Sequence, residues 1–219
     1  NGGAADRRSG VIEMSGKVTR WWWVRHAPVV NHNGKIYGQS DIGCDVPDTP
    51  SFEGLAGKIP EGAVWVTSNL SRTIDTANAI LKAGGPLPKD PEKPVVEPDF
   101  AEQSFGEWQN YSWDELHAAG VPDYNTFWEN PGYNAPPGGE SFADLIARAS
   151  KAIERINTEY HGRDIVAVTH GGTIRAAVAL ALQIEPIMAL AVQIDNLTLT
   201  RLEHVSDGLF KGQGGVWRI

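Results

Sequence analysis

The chain has a single cysteine, Cys44, in 219 residues. That excludes an intramolecular disulfide and any cysteine-based zinc cluster. No apolar run approaches the ~20 residues that a bilayer span requires. Positive charge is absent from a long internal stretch. Between Pro94 and Ala147 there is no Lys or Arg, against ten acids: Glu97, Asp99, Glu102, Glu107, Asp114, Glu115, Asp123, Glu129, Glu140 and Asp144. The net charge of −8 therefore divides into −10 from this stretch and +2 from the rest. Without clustered positive charge, neither nucleic acid nor an anionic membrane is an expected partner.

What is present is the composition of a globular domain, 41% hydrophobic and 21% charged, at a length that suits one large α/β unit. Asn1 to Ile12 is Gly-, Ala- and Arg-rich with no apolar period, so a flexible tail is expected over residues 1–16. That opening lacks the hydrophobic stretch of a signal peptide, and the expectation is a cytoplasmic protein. With no repeat, low-complexity array or linker, residues 17–219 read as one domain. Strands are expected at Val18–Val24, Val64–Thr67, Val95-Val96 and Asp164–Thr169, with strand-like closing pieces at Ala189–Ile194, Leu197–Leu202 and Gly215–Ile219. Helices are expected after Ser68 as N-cap, over Trp113–Ala119, after a capping-box-like Ser141/Asp144 down to Tyr160, and after His170 through Leu182. Gly120–Gly139 reads as a long Pro/Gly/aromatic loop with room for one helical turn. Strands alternating with helices indicate a three-layer α/β/α sandwich with a largely parallel central sheet.

Arg25-His26 and His170 each follow a buried apolar strand, and Arg72 stands one turn into the helix after a third. In open α/β sheets the carboxyl ends of the strands line the ligand crevice, so these four side chains can converge there. A lone His or Arg after a strand is ordinarily structural or solvated. Two His with two Arg at matching edges point instead to a site for a small dianion, because guanidinium groups match phosphate oxygens and imidazole can donate or attack. Trp21–Trp23 reads as core packing on alternating strand faces. Cys44 has no evident activating base, and His117, His161 and His204 read as solvated.

Five segments add specificity: Arg25-His26-Ala27; Ser68-Asn69-Leu70-Ser71-Arg72-Thr73 continuing through Thr76-Ala77; Glu102 with Phe105-Gly106-Glu107-Trp108; Gly138-Gly139-Glu140-Ser141; and Val168-Thr169-His170-Gly171-Gly172. In this order they resemble the signatures of the histidine phosphatase superfamily, branch 1, with its phosphoglycerate-mutase-like fold. The Tyr37-Gly38-Gln39-Ser40-Asp41 stretch is most similar to α-ribazole-phosphate phosphatase-like members. Pro28-Val29 and Gln109-Asn110 depart from the Glu-Thr and Glu-Gly common at those places.

The resemblance implies phosphoryl transfer through His26 as nucleophile. Arg25, Arg72 and His170 would hold the phosphoryl oxygens, and Glu102 would act as general acid and then base. Asn31, Tyr37, Gly38, Gly171 and Trp108 are the expected substrate-binding residues. No metal or other cofactor is expected, and no compact metal-ligand spacing occurs. Nearby Arg25 and Arg72 should keep His26 neutral near pH 7.

Because Glu102 opens onto the acidic stretch, substrates with a second negative group should be disfavoured. A phosphatase acting on a small-molecule phosphate monoester is thus expected ahead of a mutase. A phosphoprotein phosphatase and a non-catalytic phospholigand sensor are alternatives on the same fold. Residues 98–140 are expected to contribute a cap or substrate region, its aromatic rings either facing a leaving group or forming a satellite core. Oligomeric state is left open, with a homodimer among the alternatives.

Overall fold

The computed structural model describes residues 17–209 and 215–219; the tail expected over 1–16 lies outside the described residues. Six strands form one sheet: β1 (Val18–Arg25), β2 (Val64–Thr67), β3 (Val95–Val96), β4 (Asp164–Thr169), β5 (Leu199–Val205) and β6 (Trp217–Arg218), in the order β3-β2-β4-β1-β5-β6. The pairs β2–β3, β2–β4 and β1–β4 are parallel, while β5 runs antiparallel to β1 and to β6. This is the expected mixed α/β architecture with a mostly parallel sheet.

Alternation along the central strands sorts the core into two layers. On one face Trp21, Trp23, Val64, Val66, Ile165 and Ala167 pack with Ile153 and Ile156 of helix α5 (Phe142–Glu159) and with Ile174 and Ala177 of helix α6 (Gly171–Leu182). On the other, Val24, Trp65, Val166 and Val168 pack with Phe52 and Leu55 of α1 (Thr49–Ala56) and with Ala77 and Ile80 of α2 (Ser71–Lys82). The tryptophan run obeys the same alternation. Trp21 and Trp23 are fully buried and stacked at 4.7 Å, whereas Trp22 points the other way beneath the Arg201 guanidinium.

Helices α3 (Trp113–Ala118) and α4 (Pro122–Glu129) lie within the acidic stretch, and α7 (Pro186–Leu190) follows α6. Four expectations are corrected. The strand-like piece Ala189–Ile194 is the end of α7 followed by a turn: Pro186 starts a helix that the apolar run merely continues. The long loop 120–139 contains the two-turn helix α4, again with Pro at its start.

Ser68 is not the N-cap of α2. Leu70 occupies that position, and Asp41, from a distant loop, accepts from the Ser71 N–H and hydroxyl at 2.8 and 2.7 Å. His204 is half-buried with its ring against Trp217, and burial holds its pKa below the usual value. The Ser141/Asp144 capping box at the start of α5 is present as expected. No helix among the described residues is long and apolar enough to cross a membrane.

Candidate active site

Strand register brings the two histidines together. Arg25 on β1 pairs with Thr169 on β4, and the His26 N–H donates to the Thr169 carbonyl at 2.9 Å. His26 and His170 therefore leave adjacent parallel strands side by side, with ring centroids 5.2 Å apart. Thr67 at the end of β2 pairs with Val168, so Ser68 arrives beside His170. The parallel β2–β4–β1 order thus forces the convergence expected of the three strand ends.

His26 is 1% exposed, and its Nδ1 lies 2.7 Å from the Ala27 carbonyl. A carbonyl can only accept, so Nδ1 carries the proton and Nε2 keeps its lone pair. The turn is held by Thr76 Oγ1, which accepts from the Ala27 N–H at 2.9 Å, and by Asn196, which donates to the His26 carbonyl at 2.8 Å. The His26 pKa is lowered to about 3, first by burial and secondarily by Arg72 and Arg25, against an opposing contribution from the Ala27 hydrogen bond. Burial thus contributes more than the two arginines, from which a neutral His26 is expected on sequence.

His170 is fully buried. Arg72 Nε donates to its Nδ1 at 3.3 Å, and its Nε2 lies 2.8 Å from Ser68 Oγ. With Nδ1 accepting, the neutral ring carries its proton on Nε2 and donates to Ser68. Burial, with Arg72 and His26 behind it, keeps His170 neutral.

Arg72 is itself 0% exposed. Its Nη1 donates to the Ser40 carbonyl at 2.8 Å and its Nη2 to the Gly38 carbonyl at 2.6 Å, while the Tyr37 ring lies 5.1 Å from the guanidinium carbon. Loop 37–40 is thus the seat of this arginine. Gln109 secures the loop, accepting from the Gln39 N–H at 2.9 Å and donating to Ser40 Oγ at 3.3 Å. Gly38 has φ +44°, and a Cβ there would meet Gln109 Oε1 at 2.5 Å, so this position requires glycine. The neighbouring Asn110, where the family commonly has glycine, takes φ 71°.

Arg25 donates to the Ile194 carbonyl at 2.6 Å, and its buried Nε has no partner. Glu102 reaches the same crevice from the opposite side. Its Oε1 accepts from the Gln103 N–H at 2.9 Å and its Oε2 from the Gly172 N–H at 3.2 Å, at the start of α6. A Cβ on Gly172 would fall 2.1 Å from Glu102 Oε1, so glycine is needed for the carboxylate to approach.

Of the expected substrate-binding residues, Tyr37 and Gly38 lie on the Arg72 loop, and Gly171 sits beside Arg25, whose Nε would be 3.5 Å from an added Cβ. Asn31 is exposed with φ 59°. Trp108 is 2% exposed and packs with Ile36, Leu116 and Phe127, with Phe105, Trp113 and Tyr124 around them. These rings form a satellite core, and loop 36–40 joins it to Arg72. A cavity of about 550 Å³ over this core is lined by Trp108, Tyr111, Leu116 and Val121 with Glu107, Glu115 and Asp123, and by none of the five catalytic candidates.

Three contributors escaped the sequence reading: Ser68 as partner of His170, Gln109 as anchor of the loop, and Arg175. Arg175 lies near Gly171, donates from Nε to the Val192 carbonyl at 2.7 Å, and is felt electrostatically by both Glu102 and Arg25. Its i+4 spacing from Gly171 was the available signal. Among the described residues no three His, Cys, Asp or Glu side chains gather as metal ligands. Cys44 lies behind Arg72, and burial raises its thiol pKa.

Comparison with known proteins matches residues 21–211 to the model of the histidine phosphatase superfamily (branch 1). A metal-independent phosphoserine phosphatase of Arabidopsis thaliana is 32% identical over 173 residues, 75% of this chain and 69% of that protein. A 2,3-bisphosphoglycerate-dependent phosphoglycerate mutase of Gloeobacter violaceus is 32% identical over 151 residues, 68% of this chain and 67% of that protein. A bifunctional protein of Mycobacterium tuberculosis is 32% identical over 146 residues, 67% of this chain, but the match spans only 38% of its length. Among solved structures, a putative α-ribazole-5'-phosphate phosphatase from Escherichia coli superposes with a TM-score of 0.73 at 19% identity, covering 84% of this chain and 90% of that one.

Proposed function

Given that this chain belongs to the histidine phosphatase superfamily, branch 1, we propose that it is a phosphomonoesterase working through a phosphohistidine on His26. The observation that carries this reading is the His26 ring: Nδ1 spent on the Ala27 carbonyl, Nε2 free, and the imidazole neutral among three cationic or donor side chains.

In the first step Nε2 attacks phosphorus, the ester P–O bond breaks, and the Glu102 proton passes to the leaving oxygen to give an alcohol. In the second, Glu102 takes a proton from water, the water oxygen bonds to phosphorus, and the N–P bond breaks. Arg25 and Arg72 supply fixed positive charge to the equatorial oxygens. His170 would join them by taking a proton from the monoanionic form of the substrate onto Nδ1, Arg72 Nε giving up its bond to that atom. The resulting bound dianion favours this by stabilising the imidazolium.

The substrate class is a small organic phosphate without a strongly anionic remainder. A phosphoglycerate-mutase-type transfer is the second reading, and the half-buried Arg175 beside Glu102 is what favours it.

The test is hydrolysis of 4-nitrophenyl phosphate by the wild type and by His26→Ala, with rapid acid-free quenching to trap phosphorylated His26. Activity that survives the substitution would overturn the assignment of the nucleophile. Transfer of phosphate to a second phosphoglycerate in preference to water would replace the phosphatase reading with the mutase one.

A further inference from the structure

Glu102 stands in an irregular segment between two single 3₁₀ turns, Pro98–Phe100 and Gly106–Trp108, so no strand or helix fixes its backbone. Gln39 donates to the Glu102 carbonyl at 2.9 Å and Thr173 Oγ1 to the Phe100 and Ala101 carbonyls at 3.0 and 3.1 Å; a larger set of bonds comes from α5 and the residues just before it. Arg148, two turns into that helix, donates from Nη1 to the Asp99 carbonyl at 2.6 Å and from Nη2 to the Glu102 carbonyl at 3.0 Å. The same guanidinium grips Glu140 bidentately, Nε to Oε2 at 2.9 Å and Nη2 to Oε1 at 2.6 Å.

Glu140 then closes the other side of the segment. Its Oε1 accepts from the Ser104 N–H at 2.9 Å, its own N–H donates to the Ser104 carbonyl at 3.0 Å, and its carbonyl accepts from Gln103 Nε2 at 3.0 Å. Residues 99, 102, 103 and 104 are thereby strapped to one ion pair, whose Arg148 stands on the 18-residue helix α5 and whose Glu140 directly precedes its N-cap Ser141. The pair is mostly buried, and every contact it makes to the segment is on the main chain or on Gln103, none on the Glu102 carboxylate.

We propose that the Glu140–Arg148 pair is a positioning device for Glu102, serving proton delivery to the leaving group and not phosphate binding. The inference rests on the reading of Glu102 as general acid. The geometry separates two functions that a generic packing role would mix. His26, Arg72 and His170 are held by β1, β2, β4 and loop 37–40, none of which hydrogen-bonds to Glu140 or Arg148. Two links join the halves: Gln39 donates to the Glu102 carbonyl at 2.9 Å, and the Arg148 charge acts on His170. Loosening the strap with the Arg148 charge kept therefore moves the acid more than the phosphate pocket, whose own hydrogen bonds stay in place. Displacement of a catalytic group by about 1 Å is enough to cost on the order of 100-fold in rate.

The separating measurement is leaving-group dependence. A 4-nitrophenolate departs without a proton, whereas an ethoxide does not. For Glu140→Gln, Arg148→Lys and Arg148→Met, kcat/KM toward ethyl phosphate should fall about 10- to 100-fold, and toward 4-nitrophenyl phosphate less than about 3-fold. In Glu140→Gln and Arg148→Lys, which keep the positive charge that His170 feels, the inhibition constant for inorganic phosphate should stay unchanged. Combined with Glu102→Gln, none of them should cost ethyl phosphate turnover anything further, because the displaced acid is already gone.

Equal losses on both substrates, or a weakened phosphate inhibition constant in Glu140→Gln or Arg148→Lys, would overturn the proposal. If Arg148→Met does not fold, Glu140→Gln and Arg148→Lys retain most of the packing and carry the same test. Should Glu102→Gln itself show no leaving-group discrimination, the general-acid reading falls and the strap with it. Should it discriminate while the pair variants do not, the strap alone is wrong.

Discussion

Three of the five catalytic candidates, His26, Arg72 and His170, stand where parallel strands end, and each is 1% exposed or less; Glu102 stands in a segment with neither strand nor long helix. The first group is held by carbonyls, hydroxyls and its own members at the carboxyl edge of the sheet. The second is held by long side chains reaching across from α5 and from loop 37–40, where Gln39 also donates to the Glu102 carbonyl. Sheet register makes the phosphate half a consequence of the fold. The leaving-group half is a separate construction laid over it, and it is where substrate preference can vary at small structural cost.

The largest effect expected on the phosphate half is from His26→Ala, which removes the atom proposed to attack. Turnover should fall by at least about 1,000-fold while inorganic phosphate still binds, because loss of a nucleophile leaves only binding and electrostatic assistance. Residual turnover within tenfold of the wild type would mean that another atom attacks. Arg72→Lys comes next. One ammonium cannot reach the Gly38 and Ser40 carbonyls and His170 Nδ1 together, so kcat/KM should drop by roughly 100-fold, for ethyl and 4-nitrophenyl phosphates alike. On the other half, Gly172→Ala pushes a Cβ into Glu102 Oε1 and should cost roughly 10- to 100-fold, this time chiefly for ethyl phosphate. A uniform loss in Gly172→Ala, or a selective one in Arg72→Lys, would erase the distinction between the halves.

Burial of neutral histidine also gives the phosphate half a pH signature. The unfolded chain binds a proton on His26 below its ordinary pKa of 6.5, while the folded chain does so only near 3. Stability from this group is therefore full above pH 6.5 and is lost progressively as pH falls from 6.5 toward 3. At pH 5 the loss amounts to about 2 kcal/mol. His170, lowered for the same reasons, acts in the same direction. Urea midpoints at pH 7 and pH 5 should show His26→Asn losing about 2 kcal/mol less than the wild type over that interval. Identical losses would show that His26 already titrates in the folded protein.

The same contrast explains what the sequence made legible. The strands ending at Arg25, Thr67 and Thr169 are short apolar runs bounded by turn residues, and their endings place His26, Arg72 and His170 without further information. Helix α4 is harder to see because eight residues with Pro, two Tyr/Trp rings and Asn carry little periodicity. The run Ala189–Ile194 is apolar at a length that suits either element, and only the preceding Pro186 decides for helix. Ser68 resembles an N-cap, but its hydroxyl is taken by His170, 102 positions away, and Asp41 does the capping from 30 positions upstream. The contacts of Glu140 and Arg148 leave no trace in the sequence for the same reason: which backbone a long side chain reaches is settled by tertiary packing and has no local spacing.

Arg148 and Arg175 also alter what the missing charge between Pro94 and Ala147 means. Arg148 directly follows that stretch and Arg175 stands on α6, well beyond it, yet the structure delivers both into its neighbourhood, so the leaving-group side is less uniformly acidic than a count along the chain suggests. Arg148 is spent on Glu140 and two carbonyls, whereas Arg175 makes one hydrogen bond, through Nε, and faces Glu102 and Arg25 electrostatically. Discrimination against a second negative group should then be modest. An exposed like-charge pair costs about 1 kcal/mol, so kcat/KM for 3-phosphoglycerate should lie about 5-fold below that for ethyl phosphate at low salt. The gap should shrink toward parity at 0.5 M salt, where screening acts within a few ångströms. Arg175→Met should widen it again. A preference for 3-phosphoglycerate in the wild type that vanishes in Arg175→Met would instead make Arg175 the anchor of a second anionic group, and the leaving-group half would then be built to hold charge as well as to protonate.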